Sequence, residues 1–278
     1  MAQQQGVART RPHIYISSSI ANFRDRIKKR YALTEVTNAS IWHPWKSGNT
    51  VVFFGMYHKH DYLRFLFCRS RRVVFWCGSD ILALNGFWNK LISGAKADHI
   101  CENEVEQVVL LAKGINSDVQ PMFFGDPEEF PISYKAKYNP NVFINAHHGR
   151  IDEYGINFVL EVASKVLDVT FHIYGISNPQ TQKNVIYHGN ISEIQFNKEI
   201  KNYQAALRLN EFDGFGDVLA KSVLLGQWPI SVIKYPHITH APDMESLIHA
   251  LRKLKTKTKP NLRGREYWYN EFTKPLYL

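Results

Sequence analysis

Cysteine is scarce in this chain of 278 residues, and the three present, Cys68, Cys77 and Cys101, stand far apart with no C-x-x-C pair. That spacing excludes a zinc ribbon and a disulfide framework, and it points to a reducing compartment such as the cytoplasm. Long apolar runs are missing too, since none approaches the roughly 18 residues that cross a bilayer. The opening residues, MAQQQGVARTRP, are polar and basic and lack the apolar stretch of a secretory signal, so a soluble or at most peripheral protein is expected. There is no Asp-x-Asp pair. His58 and His60 in YHKHD lack a third ligand at clear spacing, so they read as loop histidines and no metal is expected. The N-x-[ST] triplets at Asn38 and Asn190 are at chance level.

Basic residues, by contrast, are abundant. Lys and Arg number 34 against 25 acids, for a formal charge of +9. An anionic partner follows: a phosphorylated small molecule, nucleic acid or an acidic membrane surface. The runs RDRIKKR, RSRR and RKLKTKTK are either solvated faces or guides for an anionic acceptor.

Short β-rich runs alternate with amphipathic stretches almost from end to end. HIYIS precedes IANFRDRIKKRYA, TVVFFGM precedes DYLRFLFCR, and RRVVFWCGSD precedes ILALNGFWNKLIS, read as one helix. ADHICE leads into NEVEQVVLLAKGI, where Gly114 reads as the helix stop. After the Pro-rich GDPEEFPISYKAKYNPN the alternation restarts with VFINAHH, GINFVLEVASKVL, DVTFHIYGI, NVIYHGN, SEIQFNKEIKNY and AALRLN. Two parallel sheets are expected. The reading is an α/β chain of two Rossmann-like domains, residues 1–130 and 131–245, with residues 246–278 as C-terminal helices crossing back to the first. Ligands of open parallel sheets bind at the carboxyl ends of the strands, so a cleft between two such sheets is the expected site.

One motif sits at such an end. In NEFDGFGDVLAKSVLLGQWPI, Gly214, Phe215 and Gly216 lie between a strand and a strongly helical run. A helix N-terminus presents unpaired N–H groups and partial positive charge, so the turn is either a phosphate cradle or a plain change of direction.

The order and spacing of these segments resemble a compact GT-B glycosyltransferase of the retaining, family-4 type, over roughly residues 50 to 235. VVFWCGSDI is similar to that family's strand ending in His-Gly-Ser-Asp, with Cys77 in place of the histidine. ADHICENEVEQVVLLAKGINSDVQPMFFGDPEEF follows its strand, helix, strand and linker. NAHHGRIDEYGINFVLEVASKV resembles its Gly-Arg turn and helix, FHIYGI and NVIYHGNIS its next strands, and FDGFGDVLAKSVLLGQWPI its acidic Gly-Phe-Gly motif. The family's two glutamates eight positions apart correspond here to Asp213 and Lys221, and Tyr154 stands near its expected lysine. The resemblance implies sugar transfer from a nucleotide sugar, UDP- or GDP-linked, to an acceptor hydroxyl with retention and without metal. The acceptor is left open as a glycan, a lipid-linked molecule or a nucleic acid. A transferase acting on a hydroxylated DNA base and a non-catalytic binding protein on a decayed transferase fold are the alternatives.

Each candidate residue carries two readings. Arg150 meets the donor diphosphate or bridges to Asp152 or Glu153 on the surface. Gly149, Gly175, Asn190, Gly214, Phe215 and Gly216 line the donor site, and His147 and His148 border it. Asp213 accepts from sugar hydroxyls or caps the next helix, with Glu211 in reserve. Lys221 contacts the donor or pairs with Asp217 at i,i+4. Cys77 and Asp80 border the reacting centre, or serve as a small core residue and a helix cap.

Overall fold

The computed structural model describes residues 13–31, 34–35, 50–146, 149–177 and 182–275, and these divide after Gly125 into two compact units. The first holds β1 (His13–Ile16), α1 (Arg24–Tyr31), β2 (Thr34–Glu35), β3 (Thr50–Phe54), α2 (Lys59–Phe67), β4 (Arg71–Phe75), α3 (Ser79–Ala83), α4 (Gly86–Ser93), β5 (Asp98–Cys101), α5 (Glu104–Ala112) and β6 (Asp118–Val119). Its six strands run parallel in the order β2-β1-β3-β4-β5-β6. β3 and the apolar end of β4 are buried on both faces, which is why they read as unbroken apolar runs rather than as an alternation. One face packs Ile14, Val52, Phe54, Val73 and Phe75 with Ile27 of α1.

The stretch ILALNGFWNKLIS, expected as one helix, is two. Leu84 and Asn85 adopt extended backbone and Gly86 has φ of +47°, so the chain breaks there and restarts. Gly114 closes α5 as expected, at φ +78° just past the helix.

The second unit holds β7 (Asn141–Asn145), α6 (Ile156–Lys165), β8 (Thr170–Tyr174), β9 (Val185–Gly189), α7 (Glu193–Glu199), β10 (Ala205–Arg208), α8 (Asp217–Leu224), β11 (Ile230–Ser231), β12 (Thr239–His240), α9 (Met244–Lys253) and α10 (Leu262–Thr273). Its six parallel strands follow the order β12-β11-β10-β7-β8-β9. Val142, Ile144, Phe171, Ile173, Ala205 and Leu207 meet Val159, Val162 and Leu251 in its core. The two C-terminal helices, expected as a segment of their own, lie within this compact body. α10 packs on α8 by burying Trp268 and Phe272 against Phe215, while Pro275, whose carbonyl accepts from Gln120 Nε2, groups with the first unit.

Candidate functional site

In the second unit, β10 delivers the chain to the acidic glycine turn, and Gly216 stands at the N-cap of α8 with ordinary φ of −56°. The Asp213 carboxylate pairs with Arg208, the last residue of β10. Nε donates to Oδ2 at 2.6 Å and Nη2 engages the same oxygen. The Arg208 side chain is only 15% exposed. Its guanidinium lies 4.8 Å from the ring centroid of Tyr154, and that of Arg150 lies 5.9 Å from the same ring. Arg208 had no signal in the sequence, because an arginine ending a strand is usually a solvated one.

Arg150 makes the surface bridge that was one of its two readings. Nε donates to Glu153 Oε2 at 2.7 Å, with Nη2 on the same oxygen, and both side chains are about half exposed. Glu211 is exposed at the rim of the turn. Phe215 is turned inward, with Trp268 at 4.2 Å and Tyr235 at 4.8 Å, so it anchors the turn to α10. Tyr235 OH donates to the Gly214 carbonyl at 3.2 Å. Neither Gly214 nor Gly216 has positive φ. Gly216 is closely approached instead, since a Cβ there would lie 3.0 Å from Arg208 Nε. Gly149 and Asn190 are exposed beyond the ends of β7 and β9. Gly175 is held at φ +84° against Ala146. His147 and His148 lie outside the described residues.

Lys221 is more than an i,i+4 partner. It does meet Asp217, at 2.7 Å, but it also meets Glu193 of α7 at 3.2 Å, and its side chain is 4% exposed. The rings of Phe130 and Phe196 flank its ammonium at 5.7 and 5.6 Å.

In the first unit, two buried carboxylates tie the carboxyl ends of the strands together. Asp61 of α2 accepts from Tyr15 OH at 2.5 Å, Ser17 Oγ at 2.8 Å and the backbone N–H groups of Tyr57 and His58. The sequence reading missed this residue. Asp80 accepts from Met56 N–H at 3.0 Å on one oxygen and Cys77 N–H at 2.9 Å on the other, joining the ends of β3 and β4. Burial pushes its carboxyl up to about 7 against the pull of these N–H groups. Burial, with Asp80 and Glu102 nearby, also raises the Cys77 thiol well above its ordinary value, so it stays protonated, 3.6 Å from the Phe75 carbonyl. His58 accompanies the first turn of α2, and its ring stacks on His60. Asp80→Asn is expected to lower unfolding free energy by about 1–3 kcal/mol, because an amide can accept at one oxygen only and would turn its own N–H toward a backbone N–H. Urea denaturation of the parent and variant measures this.

Among the described residues, no group of three His, Cys, Asp or Glu side chains is placed to hold a metal ion, and no helix is long and apolar enough to cross a membrane. No family model matches the sequence, and neither does any curated protein sequence. Solved structures do match by fold. The pneumococcal O-GlcNAc transferase GtfA, in complex with UDP and GlcNAc, shares 13% identity over 81% of this chain and 54% of its own, at a TM-score of 0.55. The apo lipopolysaccharide outer core galactosyltransferase WaaB shares 14% over 92% and 77%, at 0.60. Sucrose-phosphate synthase from Thermosynechococcus elongatus shares 11% over 80% and 69%, also at 0.60. The chain thus spans about half the length of GtfA. At these identities the likeness shows the fold: two Rossmann-like units of the GT-B glycosyltransferase type.

Proposed function

We propose that this chain transfers a sugar from a nucleoside-diphosphate sugar, UDP- or GDP-linked, to an acceptor hydroxyl, with retention and without a bound metal. The observation that carries this reading is that Arg150 and Arg208 approach one ring, Tyr154, while Arg208 pairs with Asp213 beside the Gly-Phe-Gly turn at the mouth of α8. The fold supports it, as does the UDP held by the pneumococcal neighbour. Arg150 and the first N–H groups of α8 receive the diphosphate, whose negative charge grows as the glycosidic bond breaks. The bridge from Arg150 to Glu153 is exposed to water, so opening it costs little. Asp213 accepts from the sugar's hydroxyls and fixes the face on which substitution occurs. Gly149, Gly175 and Asn190 border the same strand ends.

The first unit takes the acceptor in this reading. Cys77 contributes a neutral thiol there and no nucleophile. The charge of +9 suits an acceptor with anionic groups. Three free thiols suit a reducing, cytoplasmic setting. Lys221 enters by holding Asp217 and Glu193 at the start of α8 and α7.

Calorimetric titration of UDP and GDP, with and without EDTA, tests the reading. One of the two nucleotides is expected to bind in the presence of the chelator. Arg150→Ala is expected to weaken that binding by about tenfold to a hundredfold, the effect of losing a charge-assisted hydrogen bond. Failure of both nucleotides to bind, or binding that the chelator abolishes, removes the reading.

A further inference from the structure

Arg208 is an unusual residue to find where it stands. The three residues before it in β10 are fully buried, and its own side chain is mostly withdrawn from water. A guanidinium so placed is held by Asp213 and Tyr154. Such a pair adds little to stability, because the loss of hydration nearly cancels the attraction. Its position is what distinguishes it. The side chain runs along the glycine turn, with Nε and Cδ where a Cβ on Gly216 would be 3.0 and 3.2 Å away. That puts a cation beside the positive end of α8, an arrangement a helix dipole disfavours unless an anion shares it. Asp213 is that anion in the free protein.

A second guanidinium is close by. Arg150 lies in the loop after β7 and Arg208 ends β10, yet both approach the same Tyr154 ring, and the charge of Asp213 acts on both. Two arginines, Arg150 engaged chiefly by Glu153 and Arg208 by Asp213, make a balanced site that a ligand with two adjacent anionic groups would suit better. A planar guanidinium presents five N–H donors in a fixed fork, the geometry that matches phosphate oxygens.

We propose that Arg208 is a donor-contacting residue which exchanges Asp213 for the diphosphate of a nucleotide sugar, sharing that diphosphate with Arg150 and releasing the Asp213 carboxylate toward the sugar. This rests on the donor reading given above. It makes Asp213 a competitor of the diphosphate before the donor arrives and a sugar contact afterwards. One residue pair thereby couples arrival of the leaving group to orientation of the sugar.

The test is calorimetry on the full chain with whichever of UDP and GDP the parent binds, together with the matching nucleoside, which lacks the phosphates. Arg208→Gln is expected to lose nucleotide affinity by tenfold or more and to leave nucleoside affinity unchanged. Asp213→Asn is expected to bind the nucleotide severalfold more tightly, since the competitor is gone. The double variant Arg208→Gln with Asp213→Asn leaves no charge buried without its partner, so it guards against misfolding. It is expected to bind as weakly as Arg208→Gln. A folded double variant with the parent's nucleotide affinity would overturn the proposal, leaving Arg208 as a support for Asp213 alone. A parent that binds neither nucleotide would overturn the donor reading itself, before any variant is made.

Discussion

Lys221→Glu is expected to destabilise the protein by about 3–5 kcal/mol, the range for leaving a buried charge without its partner. The ammonium of Lys221 bridges Asp217 and Glu193, and its side chain is 4% exposed. A glutamate there would bury its own carboxylate beside Phe130 and Phe196 and set it against two partly hydrated acids, Asp217 and Glu193. Lys221→Met is the informative contrast. Its unbranched apolar side chain fits between the two rings, and Asp217 and Glu193, exposed to 33% and 46%, keep their hydration. The methionine variant is therefore expected within about 1 kcal/mol of the parent, as hydrophobic replacements of buried pairs often are. Guanidinium denaturation of the three proteins decides between this picture and a surface i,i+4 pair, for which Lys221→Glu would cost only a few tenths of a kcal/mol.

Gly175→Ala is expected to cost about 3 kcal/mol, combining a left-handed backbone that side chains resist with an overpacked contact. Gly175 has φ of +84°, and a Cβ would fall 1.9 Å from the Ala146 carbonyl oxygen and 3.0 Å from its carbon. Both neighbours are backbone, so neither can turn aside. Relief requires the ends of β7 and β8 to separate, against the bonds from Ala146 N–H to the Tyr174 carbonyl and from Gly175 N–H to the Gly189 carbonyl. Gly189→Ala serves as the control. It shares the positive φ, at +64°, but among the described residues its Cβ would meet the Ser177 hydroxyl, which can rotate away. About 1 kcal/mol is expected there. Equal losses at the two glycines would mean that the approach to Ala146 is looser than it stands here. The stability role of Gly175 needs no ligand.

Much of this was legible in the residues because the signals are local. Apolar strand runs and helical periodicity depend on neighbours a few positions away, so β1, β3, β4, β5, β7, β8, β9 and β10 stood out, as did the helix stop at Gly114. β6 was read at the start of DVQPMFF, whereas the two-residue strands β2, β11 and β12 carry no comparable signal, because each exists only through the strand that pairs with it. The break at Asn85 and Gly86 was written in the sequence, yet an apolar pattern on both sides concealed it.

The site divides along the same line. By itself, the sequence determined an acidic Gly-Phe-Gly turn at the mouth of a helix, an arginine three residues before a glutamate, and a lysine four residues after an aspartate. Those are spacings along one chain, and the Arg150–Glu153 and Asp217–Lys221 pairs follow from them. Tertiary structure alone decided which distant groups complete them. Glu193, Phe130 and Phe196 turn Lys221 into a buried charge. Trp268 and Phe272, more than fifty positions beyond Phe215, draw that ring inward and pin the turn. Asp213 and Arg208 are only five positions apart, but their pairing depends on the strand ending where it does and on the Tyr154 ring lying beneath. Burial sets whether a charged contact matters, and burial is a property of the packed chain, not of residue spacing.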